Sequence, residues 1–354
     1  MRKIMHIFSK MDRGGAELRT IEIMKEMKGE FEFHICSTSG KKGELDEMLK
    51  EIGIQVHYIN IKKIDFPLKF IKILKKNKIS IVHSHILFVS GMIQLFAKIA
   101  GVKNRITHFR TSRDNKEKNN KLRSIRNKIL KNLVEIFSTN ILYVSEIANE
   151  SLFPKKRFPK KHKTIYNGFD LPDKDKFPKK EKNNFVYVAR FYPTKNQMFL
   201  LDVIEILKER FKINIVISFI GNIETEYGKE FIRRVQSKKL EDYINIIGEV
   251  SNPLDYLEAS EYFLFPSKLE GLSGALIEAH IQKCVVISSN INENKEVNQY
   301  FSGSSFSLKL DPHVWANKIN DLIAARELIS FSEKNPFDIK ITTKELTKIY
   351  INSI

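Results

Sequence analysis

Short apolar runs alternate with longer segments of helical periodicity along the whole chain. The apolar runs predict two series of strands, at Ile4–Phe8, Phe31–Thr38, Gln55–Ile59, Ser80–Ser84, Arg105–Phe109, Asn140–Val144 and Lys163–Tyr166, and then at Phe185–Ala189, Ile213–Ile220, Ile244–Ile247, Tyr262–Phe265 and Val285–Ser288. The longer segments predict helices, for example Ala16–Met27, Gly43–Ile52, Met198–Phe211, Glu230–Leu240 and Ala275–Gln282. This alternation is typical of parallel sheets that are built from βαβ units.

The two series of strands are separated by a lysine- and proline-rich stretch, Pro154–Asn184. At about 150 residues per domain, a chain of 354 residues suits two domains. We therefore predict an α/β fold with two doubly wound, Rossmann-like domains of parallel sheet that face a central cleft. The amino-terminal domain is expected over 1–167, a linker over 168–184, the carboxy-terminal domain over 185–335, and a final helical segment over 336–354.

Cysteine content and hydropathy indicate a soluble protein of a reducing compartment. Cys36 and Cys284 are too few and too far apart for a disulfide framework or a four-cysteine zinc site. The apolar run in Met1–Lys10 is too short for a signal peptide. The most apolar window, Ile81–Val102, is interrupted by polar residues and glycines, so we expect no spanning helix there. A cytoplasmic location follows as an expectation.

Positive charge is concentrated in the first half of the chain. The formal net charge is +18, and residues 1–180 hold 39 Lys and Arg against 19 Asp and Glu, whereas residues 181–354 hold 21 against 23. Such asymmetry predicts that the first domain meets an anionic partner. This excess of positive charge is compatible with nucleic acid, with an anionic membrane surface and with a phosphorylated substrate.

Two basic segments of the first half are amphipathic. In Lys116–Phe137 the apolar residues step by three or four, and in Phe66–Lys78 a second apolar face lies among lysines. Either face packs on the core behind a solvated basic side, or it docks on anionic lipid headgroups. The apolar positions are Leu122, Ile125, Ile129, Leu133 and Ile136 in the first segment and Phe70, Ile71 and Leu74 in the second.

Candidate chemistry is concentrated in Phe265–Ala279, where two carboxylates, Glu270 and Glu278, are eight positions apart. The pattern places Glu270 in a loop after a strand and Glu278 within the first turns of a helix that starts near Ala275. Backbone N–H groups at the start of such a helix favour a phosphate.

This stretch resembles the signature of the retaining GT-B glycosyltransferases of group 1, which build capsule, O-antigen and exopolysaccharide. That signature has a Glu, seven residues and a second Glu, with Pro-Ser ahead of it. Further segments match the family in the expected order: Gly14–Glu17 after the first strand, Tyr166–Asp170 at the end of the first domain, Tyr187–Phe191 with Lys195 and Asn196, and Ile247–Val250. The resemblance covers nearly the whole chain and implies that the last helix crosses back to the first domain.

The resemblance also implies a role for each matched residue. Arg190 and Lys195 would hold the donor's diphosphate and stabilise the charge that develops on it as it leaves. Glu278 would accept hydrogen bonds from the ribose, Glu270 would contact the donor sugar, and Gly15 would let the first loop approach a phosphate. The remaining donor-binding positions are Gly271, Leu272, Ser273 and Gly274.

One position departs from the family pattern. Many relatives have a histidine where this chain has Arg110, while His108 lies two residues earlier and shares its strand face. Either His108 takes the family histidine's catalytic role or Arg110 binds a phosphate of the acceptor, and the residues do not separate these two possibilities.

No metal or cofactor is expected. His83 and His85 share a strand face, but we find no third ligand at a sensible spacing for zinc. Asp173-Lys174-Asp175 imitates a metal-binding pattern inside a lysine-rich linker, where we interpret it as a solvated loop. The nucleotide-sugar, linked to UDP or GDP, is a substrate.

The leading hypothesis is a metal-independent glycosyltransferase (EC 2.4) that acts with retention on a glycan acceptor, lipid-linked or soluble. The basic domain suggests a polyprenyl-diphosphate-linked acceptor and a peripheral location on the inner face of the cytoplasmic membrane. The alternative is a non-catalytic, sugar-nucleotide-binding accessory subunit of a polysaccharide-synthesis complex. A nucleic-acid partner is not expected, because no docking motif or basic strand face with interleaved aromatics is present.

Overall fold

A computed structural model describes residues 1–114, 120–171, 180–325, 329–332 and 335–352. The chain divides into two compact units: unit 1 comprises Met1–Asp170 and Pro336–Ile354, and unit 2 comprises Leu171–Asn335. Residues 172–179 of the predicted linker, including Asp173, Lys174 and Asp175, lie outside the described residues.

Unit 1 contains a fully parallel sheet of seven strands. The strands are β1 (Arg2–Phe8), β2 (Phe31–Ser37), β3 (Gln55–Tyr58), β4 (Ile81–Ser84), β5 (Asn104–Phe109), β6 (Asn140–Tyr143) and β7 (His162–Thr164). Their order is β3-β2-β1-β4-β5-β6-β7. The helices that connect them are α1 (Gly15–Glu26), α2 (Asp46–Glu51), α3 (Phe66–Lys76), α4 (Ser90–Ile99), α5 (Lys121–Phe137) and α6 (Glu146–Leu152).

Unit 2 contains a second parallel sheet with six strands. The strands are β8 (Glu181–Val188), β9 (Val216–Ile220), β10 (Ile244–Gly248), β11 (Ser260–Phe265), β12 (Val285–Ser289) and β13 (Ser305–Leu308). Their order, β10-β9-β8-β11-β12-β13, repeats the winding of unit 1 around its first strand. The helices are α7 (Met198–Ile206), α8 (Glu226–Ser237), α9 (Leu254–Ala259), α10 (Gly274–Ile281), α11 (Asn292–Asn298) and α12 (Pro312–Ala325). The predicted α/β class with two Rossmann-like domains is confirmed.

Each sheet buries both faces, as parallel sheets do. In unit 1, Ile4 and Phe8 of β1 pack beneath α1 and α2, whereas Met5 and Ile7 point to the opposite face, beneath α3 and α4. Strand β13 was not predicted, because Ser305–Leu308 is short, rich in serine and paired only with β12 at the edge of its sheet.

The last helix, α13 (Ile339–Asn352), belongs to unit 1. It packs beside α1 and buries Tyr350, whose ring meets Phe31 edge to face with the centroids 5.4 Å apart. Asn104 Nδ2 donates to the carbonyl of Ile349 at 3.0 Å. The chain therefore returns to its first unit after completing the second.

The orientation of α5 does not agree with the first of the two alternatives for its apolar stripe, packing on the core. Leu122, Ile125 and Ile129 are 82%, 61% and 58% exposed, and Ile136 is exposed as well, while Leu133 is half-buried. The buried positions are Asn127, Leu130, Val134 and Glu135, on another face of the helix.

Close packing against α4 determines which face of α5 is buried. A side chain at Gly91 of α4 would place a Cβ 2.6 Å from the carbonyl oxygen of Leu130, so only glycine permits this approach. Within the described residues, the helices are all too short or too polar to cross a membrane.

Candidate active site

In unit 2, a lysine and a glutamate from neighbouring loops form a bidentate ion pair. Lys195 Nζ lies 2.6 Å from Glu270 Oε1 and 2.8 Å from Oε2. Lys195 follows β8 and Glu270 follows β11, and these two strands are adjacent and parallel, so both loops leave the same edge of the sheet. The Glu270 side chain is only 7% exposed. Two residues that the family resemblance singled out are therefore in direct contact.

Hydrogen bonds to backbone carbonyls join these two loops. The Lys268 amide donates to the carbonyl of Thr194 at 2.8 Å, and Asn196 Nδ2 donates to the carbonyl of Pro266 at 3.1 Å. Asn196 has a φ of 63°, in the left-handed region that asparagine tolerates better than most residues. The ion pair is thus built on a rigid support.

Arg190 is placed differently from Lys195, although the resemblance gave the two residues one role. It is exposed, and its guanidinium lies over the ring of Tyr192, 5.6 Å from the centroid. The Arg190 carbonyl accepts a hydrogen bond from Gln197 Nε2 at 3.0 Å, which anchors the backbone and leaves the side chain at the surface.

The other predicted donor-binding residues lie at the start of α10. Ser273 caps the helix, because its Oγ accepts from the Leu276 amide at 3.4 Å. Gly271, Leu272 and Gly274 are half-buried in the same turn. Glu278 follows in the second helical turn and is also half-buried. The positive end of the helix dipole and the Glu270 loop therefore occur in one short segment.

In unit 1, four imidazoles cluster on one face of the sheet. His6 of β1 pairs in register with His83 of β4, and His85 and His108 follow at the carboxyl ends of β4 and β5. His6 Nδ1 lies 2.9 Å from His85 Nε2, and His83 Nε2 lies 3.2 Å from His108 Nδ1. His83 Nδ1 lies 2.8 Å from the Tyr350 hydroxyl on α13. We call these four histidines the imidazole cluster.

The imidazole cluster is neutral at physiological pH. Burial lowers the pKa of His6 to about 3, and the nearby charge of Arg110 acts in the same direction. Burial likewise holds the pKa values of His83, His85 and His108 well below the usual range. His108 Nε2 is buried and has no hydrogen-bond partner among the described residues, so it can bond to a ligand.

Among the described residues, the hydrogen-bond partners of Arg110 at the edge of the imidazole cluster are all neutral groups. Its Nε lies 3.3 Å from His85 Nδ1, one terminal nitrogen is 3.2 Å from Thr20 Oγ1, and the other donates to Asn167 Oδ1. Burial lowers the Arg110 pKa to about 10, and Tyr350 and Glu17 partly oppose that shift. The side chain thus stays charged at neutral pH, and a buried cation among neutral partners favours an anionic ligand.

The expectation that no third ligand joins His83 and His85 is wrong. One nitrogen from each of His6, His83 and His85 lies within 4.8 Å of the other two. Sequence spacing did not reveal this, because His6 is brought in by the pairing of β1 with β4. The guanidinium of Arg110 beside His85 disfavours a metal cation at these nitrogens.

Gly15 is the first residue of α1, directly after the loop that leaves β1. A Cβ at this position would meet no atom within 4 Å, so the space beside it is open. The structure therefore does not require glycine here for packing, and its predicted approach to a phosphate stays a prediction.

Comparisons with known proteins match both halves of the chain. Residues 170–334 match the family described as glycosyl transferases group 1, and residues 13–172 match glycosyltransferase family 4. The capsular polysaccharide biosynthesis glycosyltransferase CapH of Staphylococcus aureus is 62% identical over 352 residues, which cover 99% of each chain. The UDP-Gal:alpha-D-GlcNAc-diphosphoundecaprenol alpha-1,3-galactosyltransferase of Escherichia coli is 27% identical over 73% of this chain and 71% of its own.

A solved structure agrees with the fold. Anabaena HepE, crystallised with UDP and glucose, superposes with a TM-score of 0.79 at 16% identity and covers 99% of this chain and all of its own. The fold, the two family matches and the identity to CapH together define a glycosyltransferase with the GT-B fold. The chain belongs to the glycosyltransferases of group 1.

Proposed function

We propose that this chain transfers a sugar from a nucleotide-sugar to a polyprenyl-diphosphate-linked glycan during capsular polysaccharide biosynthesis, with retention at the anomeric carbon. The observation that carries this proposal is the Lys195–Glu270 pair, set beside the start of α10 in the half of the chain that matches the family. The identity to CapH supports the capsular role, and the E. coli relative, named for a diphosphoundecaprenol acceptor, supports the lipid carrier.

Unit 2 binds the donor in this proposal. The diphosphate displaces the Glu270 carboxylate from the ammonium of Lys195. It is then bound by that ammonium, by the guanidinium of Arg190 and by the amides at the start of α10. Glu270, released from the ion pair, accepts hydrogen bonds from the donor sugar, and Glu278 accepts them from the ribose. The positive groups then stabilise the charge that grows on the leaving diphosphate.

Unit 1 binds the acceptor. The unpartnered Nε2 of His108 bonds to a hydroxyl of the acceptor glycan, while Arg110 binds a phosphate of the acceptor. The bond from the anomeric carbon to the diphosphate breaks as the acceptor oxygen bonds to the same face of that carbon. The acceptor's proton passes to an oxygen of the leaving diphosphate, so no metal is needed.

The exposed face of α5 attaches the enzyme to the inner face of the cytoplasmic membrane. Leu122, Ile125 and Ile129 project from a helix that is rich in Lys and Arg, the pattern of helices that lie in an anionic lipid interface. This docking brings unit 1 to an acceptor that is itself held in the bilayer.

Sugar transfer to lipid tests the proposal. Membranes of an S. aureus strain without CapH supply the acceptor, and a panel of labelled UDP- and GDP-sugars supplies the donor. We expect one donor to label the lipid fraction, and NMR to show the anomeric configuration of that donor in the product. Nucleotide-sugar binding without transfer would favour the accessory-subunit alternative, and an inverted product would contradict retention.

A further inference from the structure

A polar cavity opens at the carboxyl edge of the unit 1 sheet, on the β2 and β3 side of the imidazole cluster. It has a volume of about 410 Å³ and lies where β2 and β3 end, beside the start of α3. We call it the outer cavity. Its polar lining includes Lys41, Asn60, Lys63, Asp65 and Lys69.

The walls of the outer cavity are held by backbone contacts. Ser39 and Asn60 form an isolated β-bridge between the two loops, and Ser39 Oγ accepts from the Lys41 amide at 3.2 Å. Gly40 has a φ of 74°, and a Cβ there would lie 3.1 Å from the Asn60 side chain. The cavity is therefore preformed and does not depend on side chains alone.

The outer cavity adjoins the part of unit 1 that we assign to the acceptor. A neighbouring cavity of about 370 Å³ is lined by Thr38, Ile61 and His85 of the imidazole cluster. The Ile61 amide donates to the carbonyl of Thr38 at 2.9 Å, and the residues next to these two, Ser39 and Asn60, line the outer cavity. The two cavities are thus consecutive along one edge of the sheet.

The charges of the outer cavity favour an anion. Lys69 forms an ion pair with Asp65 at 2.7 Å, and Lys63 acts on the same carboxylate only through space. Lys41 has no acidic partner among the described residues. Three ammonium groups therefore stand against one carboxylate.

One atom of the outer cavity calls for a hydrogen-bond donor instead. The Asp65 side chain is 45% exposed, and its Oδ2 holds Lys69, while Oδ1 has no side-chain partner among the described residues. This carboxylate can accept a hydrogen bond from a ligand hydroxyl. A diphosphate has acceptors only, whereas an acidic sugar has both a carboxylate and hydroxyl groups.

We propose that the outer cavity is an acceptor subsite for an acidic sugar residue, whose carboxylate contacts Lys41 and Lys63 and whose hydroxyl donates to Asp65. The inference rests on the proposed function, since it assumes that unit 1 binds a glycan. It adds that this glycan carries a negative charge close to the sugar that is extended.

Backbone-amide NMR on the full-length chain tests this subsite with three probes: glucuronate, glucose and inorganic pyrophosphate. The amides of Gly40 and Asn60 report on the outer cavity alone. We expect glucuronate to shift both amides in a saturable manner and glucose to bind about tenfold more weakly, since it lacks the charge. Pyrophosphate that binds more tightly than glucuronate at these amides would instead identify the carrier's diphosphate and overturn the proposal.

A charge-matched pair of double variants separates the subsite from general attraction to a basic surface. Lys41→Glu with Lys63→Glu should weaken glucuronate binding about tenfold or more, because both contacts are lost. Lys42→Glu with Lys62→Glu makes the same change of charge at neighbouring residues that do not line the cavity, and should alter binding less than about twofold. Equal weakening in the two variants, or no glucuronate shift in the wild type, would overturn the subsite.

UDP binding to unit 2 is measured in the same samples. Loss of UDP binding with intact glucuronate binding would count against the proposed donor site alone, and the reverse result would count against the outer cavity alone. The two failures are therefore distinguishable.

Discussion

Units 1 and 2 have the same strand order, yet the cation at the candidate site of each unit has a different kind of partner. In unit 2 the ammonium of Lys195 is bound by a carboxylate, Glu270, from the adjacent loop. In unit 1 the guanidinium of Arg110 meets neutral groups, and the histidines around it are neutral because they are buried. The same scaffold therefore carries one cation that is paired with a carboxylate and one whose hydrogen-bond partners among the described residues are neutral.

The two halves of the sequence also differ in net charge. Residues 1–180 hold 39 basic against 19 acidic residues, and residues 181–354 hold 21 against 23. The excess of the first half accompanies the exposed apolar face of α5 and the lysines of the outer cavity. The cations of unit 2 are nearly balanced by acidic residues, for example in the pairs of Lys229 with Glu226 and of Lys238 with Glu205.

Removing the ammonium of Lys195, which is paired with Glu270, should have the largest effect on sugar transfer. We expect Lys195→Ala to lower sugar transfer about 100- to 1,000-fold, the usual loss when one group that stabilises a developing negative charge is removed. Lys268→Ala is the matched control, since Lys268 is exposed on the facing loop and should stay within about twofold. Transfer by Lys195→Ala within tenfold of the wild type would remove Lys195 from the donor site.

Acid should weaken unit 1 more than unit 2. Burial lowers the pKa of His6 to about 3 and those of His83, His85 and His108 well below normal, so the unfolded chain binds protons that the folded unit excludes. Stability therefore falls as the pH drops below about 6.5, by about 1.4 kcal/mol per pH unit for each fully excluded proton. In unit 2, His280 has a pKa lowered to about 4 by burial and makes a smaller contribution.

The single tryptophan allows this difference to be measured. Trp315 is buried in unit 2, so its fluorescence follows that unit, while circular dichroism follows both units. Between pH 7 and pH 5, urea unfolding followed by circular dichroism should acquire an early transition that Trp315 does not report. Transitions that stay coincident at both pH values would contradict the separate behaviour of unit 1.

The exposed face of α5 should control membrane binding. Ile125→Ser with Ile129→Ser should reduce co-sedimentation with phosphatidylglycerol vesicles at least about tenfold, because two apolar side chains no longer enter the interface. Val216→Ser in unit 2, at a residue that is 49% exposed, serves as the control and should bind normally. Binding that does not depend on the anionic lipid content would contradict the role given to the basic flanks.

Removing the hydroxyl of Tyr350 should have a smaller effect on sugar transfer. Tyr350 is a positioning residue, since it contacts His83, which in turn contacts His108. Tyr350→Phe keeps the ring packed on Phe31 but removes the hydroxyl, and we expect kcat to fall about threefold to tenfold with unchanged donor KM. Tyr243→Phe, which also loses a tyrosine hydroxyl contact, should retain full activity. A loss of thermal stability without any change in kcat would make the Tyr350 contact purely structural.

Local patterns predicted most of the strands and helices but not the contacts between them. The alternation of strands and helices predicted both sheets, because parallel βαβ units leave a strong periodic signal. The same periodicity identified the apolar stripe of α5 but not which face meets the core, which the close approach of Gly91 on α4 decides. Strand β13 was not predicted, because a short, serine-rich edge strand has no apolar run.

In the candidate site, too, the motif residues could be predicted from the sequence, whereas the contacts between them could not. Glu270, Glu278, Arg190 and Lys195 lie in short motifs, so the resemblance could find them, whereas the Lys195–Glu270 contact depends on the pairing of β8 with β11. His6 and Tyr350 lie in no motif that we singled out, and the fold alone brings them to His83 from the two ends of the chain. Such long-range contacts leave no trace in the spacing of residues.

Thermal stabilisation by nucleotides tests the central claim most directly. UDP and GDP are added separately to the wild type, to Glu278→Ala and to Glu226→Ala, whose parent carboxylate is 87% exposed and paired with Lys229. A ligand that binds only the folded state raises the unfolding temperature. We predict that one nucleotide stabilises the wild type and Glu226→Ala but not Glu278→Ala. Equal stabilisation of all three proteins, or of none, would contradict a nucleotide-sugar site at the start of α10.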